Sequence, residues 1–159
     1  VKKAFDDAKK ILDDGKVAEK AKIKSAYDEN IKAAVVTAEK DVALKKRNDG
    51  LSANLTSFNL SIVTLASVLD KKIITPAQHS LFTAIMLSIF KDANDKVNAL
   101  YAAEIAALDA KAKAIIDKAK AASDADTKVL DDEYNNKLAA ITKTYSDENN
   151  KCHNQGGGN

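Results

Sequence analysis

The scarcity of helix-breaking residues constrains the fold of this chain more than any other feature. Proline occurs once in 159 residues, at Pro76, and three of the five glycines stand together at positions 156–158. Apolar residues make up 45% of the chain, which separates it from disordered sequences, and aromatic residues only 5%. Together with abundant Ala, Lys, Asp and Leu, these features predict an all-α fold built from long helices. We expect a single helical domain over residues 1–150 and a flexible polar tail over 151–159.

Apolar residues recur at spacings of three and four along most of the chain, which is the period of amphipathic helices. Several stretches interrupt this pattern, among them Gly15, the connector DKKIIT at 70–75 and a candidate helix cap at Asp92 or Asn94. Asn48-Asp49-Gly50 is a strong turn signal, and the sequence ASDAD at 122–126 favours a break or a kink. We therefore predict an elongated helical bundle of about five helices.

Charged residues are divided between the two ends of the chain. Residues 1–50 carry 13 basic and 10 acidic groups, and residues 91–159 carry 10 and 12. Between them, residues 51–90 carry only Asp70, Lys71 and Lys72. The net charge is +2 without a clustered basic face, so we expect no nucleic-acid partner.

The uncharged middle of the chain predicts two apolar helices, 51–69 and 76–90, that form a central apolar helical hairpin. Thr75, Pro76 and Gln78 match a capping box with proline at the first helical position, so the proline starts a helix and does not break one. The helix after Pro76 is apolar nearly all round, which predicts burial on several sides. Its apolar run of about ten residues is shorter than the roughly 18 that a membrane span needs, so we expect no transmembrane insertion.

The apolar stripes of the hairpin suggest a binding site for a hydrophobic or lipid-like ligand, because such surfaces adapt to irregular apolar ligands. The candidate ligand-binding residues are Phe58, Ile62, Leu65, Leu81, Phe82, Ile85, Met86 and Ile89. The alternative is a structural or protein-interaction protein. In that alternative the hairpin is core, and the long helices assemble into a homo-oligomer as coiled coils without a small-molecule ligand.

The segment LASVLDKKIITPAQHSLFTAIMLSIFKDANDKV, Leu65–Val97, resembles a recurring unit of the SXP/RAL family of nematode secreted antigens. The shared features are an apolar helix, an acidic connector, an Ile-Thr-Pro helix start, and a following helix that ends in a Lys-Asp pair and Val. The helix after Pro76 is more apolar here than in the family. The resemblance implies a secreted, extracellular, all-helical protein; divalent-cation binding is associated with some members.

Other sequence features fit an extracellular protein. The chain begins at Val1 without Met, which fits either removal of a signal peptide or trimming of a longer sequence. It carries acceptor sequons at Asn54 and Asn59. The lone Cys152 has no partner within the chain, so it is a candidate for an intermolecular disulfide, and the alternative is an unpaired thiol in the tail.

The sequence offers no constellation for catalysis. It contains no Gly-rich phosphate loop, nucleophile elbow or CxxC pair, and His79 has no ligand-type residue three or four positions away. The acidic stretch 124–133 lacks the central Gly and closing Glu of a calcium-binding EF-hand loop. We therefore predict no enzymatic activity, no catalytic residues, no cofactor and no metal site.

Overall fold

A computed structural model describes residues 1–155, without the side chain of Gln155. It contains three helices: α1 (Lys2–Lys32), α2 (Thr37–Asp70) and α3 (Pro76–Gln155). The described residues are 94% helical and include no strand, which confirms the all-α class. The expected number of about five helices is wrong. Residues 151–155, expected as the start of a flexible tail, belong to α3, and positions 156–159 of that tail lie outside the described residues.

Neither the predicted helix break at 48–50 nor the one at 122–126 is present in the structure. Asn48-Asp49-Gly50 lies inside α2 and the ASDAD stretch lies inside α3. A β-carbon on Gly50 would lie 3.3 Å from the Val97 side chain, so this glycine occupies a close contact between helices and not a turn. The helices are interrupted at residues 33–36, where the sequence carries neither Gly nor Pro, and at 71–75, between the two predicted hairpin helices.

The chain divides into two compact units. Unit 1 combines Val1–Val35 with α3 from Lys113 onward, and unit 2 is Val36–Ala112. Each is described by itself below.

Unit 2 is an antiparallel pair of helices formed by α2 and the first part of α3. Arg47 donates to Asn98 at 2.7 Å, and further along α2 Asn54 donates to Asn94 at 3.0 Å. Because residue numbers rise along α2 while those of its partners fall, the helices run in opposite directions. From the N-cap Val36 onward, one row of buried and half-buried positions follows a coiled-coil spacing of three and four: Val36, Lys40, Ala43, Arg47, Gly50, Asn54, Phe58, Ser61, Leu65 and Val68. Leu51, Ile62 and Leu69 are half-buried beside this row.

The closed end of unit 2 is built from two capping motifs. At the end of α2, the amide of Lys72 donates to the carbonyl of Leu69 at 2.8 Å, and that of Ile73 donates to Val68 at 2.9 Å. This is the Schellman pattern, and Lys72 adopts its left-handed position with φ 57°. At the start of α3, the amide of Gln78 donates to Oγ1 of Thr75 at 3.2 Å, and the amide of Thr75 donates to Oε1 of Gln78 at 2.9 Å. The predicted capping box is confirmed.

Unit 1 pairs α1 with the later part of α3, also in antiparallel orientation. The rings of Phe5 and Tyr145 lie 4.8 Å apart. Further along α1, the Tyr134 hydroxyl donates to Asp13 at 2.6 Å, and the Lys16 ammonium lies 2.8 Å from Asp131. The contacts between α1 and α3 in this unit therefore include an aromatic pair, a tyrosine–carboxylate hydrogen bond and an ion pair.

The hydrogen bonds of unit 1 shift two carboxyl pKa values. Donation from Lys9 and then from Tyr134 lowers the pKa of Asp13. The ion pair with Lys16 lowers the pKa of Asp131. Both shifts favour the charged carboxylate in the folded state.

The prediction that the helix after Pro76 is buried on several sides is wrong. The buried residues of the described structure are Val36, Ala43, Leu65 and Ala119. A pair of helices covers only one face of each member, so the remaining circumference of an apolar helix stays in contact with solvent.

Candidate functional site

An open groove follows the contact between α2 and α3 in the hairpin. Its volume is about 370 Å³, and it is lined by Asn54, Ser57, Phe58 and Ser61 from α2 and by Met86, Ile89, Phe90 and Ala93 from α3. No lining side chain carries a charge. The arrangement suits an apolar ligand, because such a ligand displaces water here without desolvating an ion.

An aromatic pair lies at the centre of this groove. The rings of Phe58 and Phe90 stack with centroids 4.8 Å apart and an interplanar angle of 26°. At one end, the Asn54 amide donates to Asn94 across the hairpin. The groove thus combines an apolar wall with one amide pair that is already hydrogen-bonded.

The structure separates the eight candidate ligand-binding residues into three groups. Phe58, Met86 and Ile89 line the groove. Leu65 is buried with 6% exposure, and Ile62, three residues earlier on α2, is half-buried. The remaining three lie outside the groove lining on the solvent-exposed surface: Leu81, Phe82 and Ile85.

Phe90 and Asn54 line the groove but were not predicted as ligand contacts. The signal for Phe90 is its spacing of four residues from Met86, which puts both on one helical face. For Asn54, the sequence shows only the sequon, and no sequence pattern reveals a polar residue facing a partner helix.

Unit 1 contains a larger groove of about 510 Å³. Its walls include Ile11, Leu12 and Leu130, but also the charged side chains of Lys16, Glu19, Glu133 and Lys137. These charges disfavour a purely apolar occupant, so the hairpin groove is the better candidate for a hydrophobic ligand.

The outer surface of the hairpin is apolar and exposed. On α2, Leu60 and Val63 are 68% and 66% exposed; on α3, Leu81 and Ile89 are 59% and 62% exposed. In the described residues, every ion pair lies outside 51–90. Large apolar surface without neighbouring charge is typical of protein or membrane interaction sites.

One stretch satisfies the length and composition of a membrane-crossing helix. It is Lys2–Asp70, in which an 18-residue window has a mean hydropathy of 1.3 and is only 6% buried. Within it, only residues 51–69 are free of Asp, Glu, Lys and Arg over such a length, so the window falls on the hairpin. The expectation of no transmembrane insertion rests on the apolar run within 76–90 and not on residues 51–69.

The remaining candidate positions have distinct surroundings. The side chain of Asn59 is exposed, whereas that of Asn54 is half-buried and hydrogen-bonded to Asn94. Cys152 is an exposed free thiol within α3. Over residues 1–155, no group of three or more His, Cys, Asp or Glu side chains is positioned to hold a metal ion.

Comparison of the chain with protein-family models, with curated proteins and with solved structures found no match.

Proposed function

We propose that this protein binds a hydrophobic, lipid-like ligand in the groove of the apolar hairpin. The observation that carries the proposal is the charge-free lining around the stacked Phe58 and Phe90 rings. Its volume of about 370 Å³ falls in the range of about 300–1,000 Å³ that is usual for small-molecule sites. The flexible thioether of Met86 adapts to ligands of irregular shape.

The proposal includes secretion to the extracellular space. Its support is the resemblance of Leu65–Val97 to the SXP/RAL unit, together with the exposed sequon at Asn59. A binding protein without enzymatic activity agrees with the absence of a catalytic motif from the sequence.

Displacement of a fluorescent fatty acid tests the proposed site. Ile89 lines the groove and is 62% exposed, so Ile89→Asp leaves the helix packing intact while it places a charge beside the ligand. We expect saturable binding by the wild type and at least about a tenfold loss of affinity in Ile89→Asp, because an acyl chain does not solvate a carboxylate.

Two matched substitutions provide controls. Ile11→Asp alters the groove of unit 1 at a residue that is 73% exposed, and Leu100→Asp alters a 71% exposed position outside the hairpin. Both variants should bind like the wild type. Loss of binding in Ile11→Asp alone would move the site to unit 1, and a lack of saturable binding in the wild type would contradict the proposal.

A second candidate function is assembly through the long helices without a ligand. It is favoured by exposed apolar side chains outside the hairpin, such as Ile11 and Val17 in α1, and by the exposed thiol of Cys152. Sedimentation with and without reductant tests it. A covalent dimer that reductant dissociates supports assembly through Cys152, and a monomer under both conditions excludes it.

A further inference from the structure

We propose that the apolar hairpin, residues 51–90, inserts into a lipid bilayer. This inference rests on the proposed function and deepens it, because it identifies the bilayer as the lipid that the hairpin meets. It differs from the sequence expectation, which excluded insertion on the apolar run of 76–90 alone.

The dimensions of the hairpin fit a bilayer. Leu51–Leu69 comprises 19 residues without Asp, Glu, Lys or Arg, and as helix it is about 28 Å long. The hydrocarbon core of a typical bilayer is about 30 Å thick. The helical part of the second uncharged stretch, 76–90, is about 22 Å long, and Lys91 just beyond it carries a flexible stem that lets its ammonium reach the headgroups.

The charge pattern of unit 2 is complementary to a bilayer. At the closed end, Asp70, Lys71 and Lys72 are exposed and would meet polar headgroups. At the other end, ions resume at Asp49 on α2 and at Lys91 on α3. Charge is therefore present where a bilayer has headgroups and water, and absent where it has hydrocarbon.

The exposed apolar side chains point in more directions than a second protein chain would cover. At 100° per residue, Leu55, Val63 and Leu60 span about 140° of the α2 circumference. On α3, Leu81, Ile85 and Ile89 lie on one side, and Leu87 lies on another. A coiled-coil partner contacts a narrow seam, whereas hydrocarbon surrounds a helix and contacts every exposed side chain.

Several polar groups of the hairpin are already satisfied internally. The hydroxyls of Thr56, Ser61, Thr64 and Thr83 each donate to the backbone carbonyl four residues earlier, at 2.9–3.0 Å. Such bonds remove the need for water in an apolar medium. The exposed amide of Asn59 opposes insertion, so Asn59→Leu should strengthen binding to membranes.

Vesicle flotation with a matched pair of substitutions tests insertion. Leu60 and Leu100 are 68% and 71% exposed, so either residue accepts Asp without loss of the fold. With vesicles of phosphatidylcholine and phosphatidylglycerol, we expect the wild type and Leu100→Asp to float. Leu60→Asp should bind at least about tenfold more weakly, because a carboxylate is strongly disfavoured in hydrocarbon.

The single cysteine of the chain permits a second measurement. In a Cys152→Ser background, an environment-sensitive fluorophore is attached to Leu60→Cys, Leu81→Cys or Leu100→Cys. On addition of vesicles, the first two labels should shift to shorter wavelength and be quenched by spin-labelled acyl chains. The Leu100→Cys label should remain in water.

Each outcome has a definite meaning. Failure to bind vesicles, with fatty-acid displacement intact, would overturn the bilayer inference and leave the proposed function standing. Loss of both activities would overturn both. Shielding of the Leu60→Cys label without lipid, together with a larger sedimenting species, would show that a second copy of the chain covers this surface, which also overturns the inference.

Discussion

Lys72 and Lys71 provide a sensitive test of the closed end of the hairpin. Lys72 occupies the left-handed position of the Schellman motif with φ 57°, whereas Lys71 has the ordinary helical values φ −75° and ψ 0°. A side chain in the left-handed region costs about 1–2 kcal/mol, and glycine avoids this cost. Replacement of either lysine by glycine removes the same charge from neighbouring positions, so the two variants differ in backbone conformation.

We expect opposite effects on the free energy of unfolding. Lys72→Gly relieves the left-handed strain but gives the unfolded chain more freedom, which leaves a net stabilisation of about 0.5–1 kcal/mol. Lys71→Gly relieves no strain and should destabilise by about 0.5–1 kcal/mol. The expected difference between the variants is therefore about 1.5 kcal/mol.

Urea unfolding followed by far-ultraviolet circular dichroism measures this difference, with amide hydrogen exchange to assign it to unit 2. The same change in both variants would mean that charge and not conformation decides the outcome. Destabilisation by Lys72→Gly would refute the assigned Schellman geometry.

The remaining predictions concern the core of the hairpin and the acidic groups of unit 1. Leu65→Ala should destabilise unit 2 by about 2–3 kcal/mol in urea unfolding, because Leu65 is 6% exposed. The control Leu60→Ala, at a residue that is 68% exposed, should cost less than about 0.5 kcal/mol. Equal effects of the two substitutions would contradict the assigned contact between the helices. The lowered pKa values of Asp13 and Asp131 contribute stability that is fully present above the ordinary aspartate pKa of about 3.9 and is lost as pH falls through the lowered values. The protection of the α1 amides against hydrogen exchange, taken relative to the unfolded chain at the same pH, should therefore fall in this acidic window. Substitution of both residues by Asn should weaken that pH dependence, and an unchanged protection profile would argue against these contacts.

Features determined by adjacent residues could be predicted from the sequence. Thr75, Pro76 and Gln78 form the expected capping box, since all its atoms lie within one helical turn. The all-α class also follows, because few residues in the chain disfavour helix. Within the predicted site, Phe58 and Met86 face the groove because their stripes include the seam between the helices.

Features determined by tertiary contacts could not be predicted in this way. Gly50 reads as a turn residue, yet in α2 it gives the Val97 side chain room to approach. The exposure of Leu81 and Ile85 depends on how many other helices pack against their helix. Hydrophobic periodicity does not reveal how many packing partners a helix has. An apolar helix therefore looks the same in sequence whether its own chain or an external partner covers it.

The hydrogen bond between Asn54 and Asn94 makes the two sequons unequal. Nδ2 of Asn54, to which an N-linked sugar would be joined, faces α3 at one end of the groove. A glycan at this position would fill the groove with carbohydrate and press the two helices apart. At the exposed Asn59, the same sugar would project into water and leave the groove open. Glycosylation of Asn54 would therefore block the groove, whereas glycosylation of Asn59 would leave the groove open but keep the outer surface of the hairpin out of a bilayer.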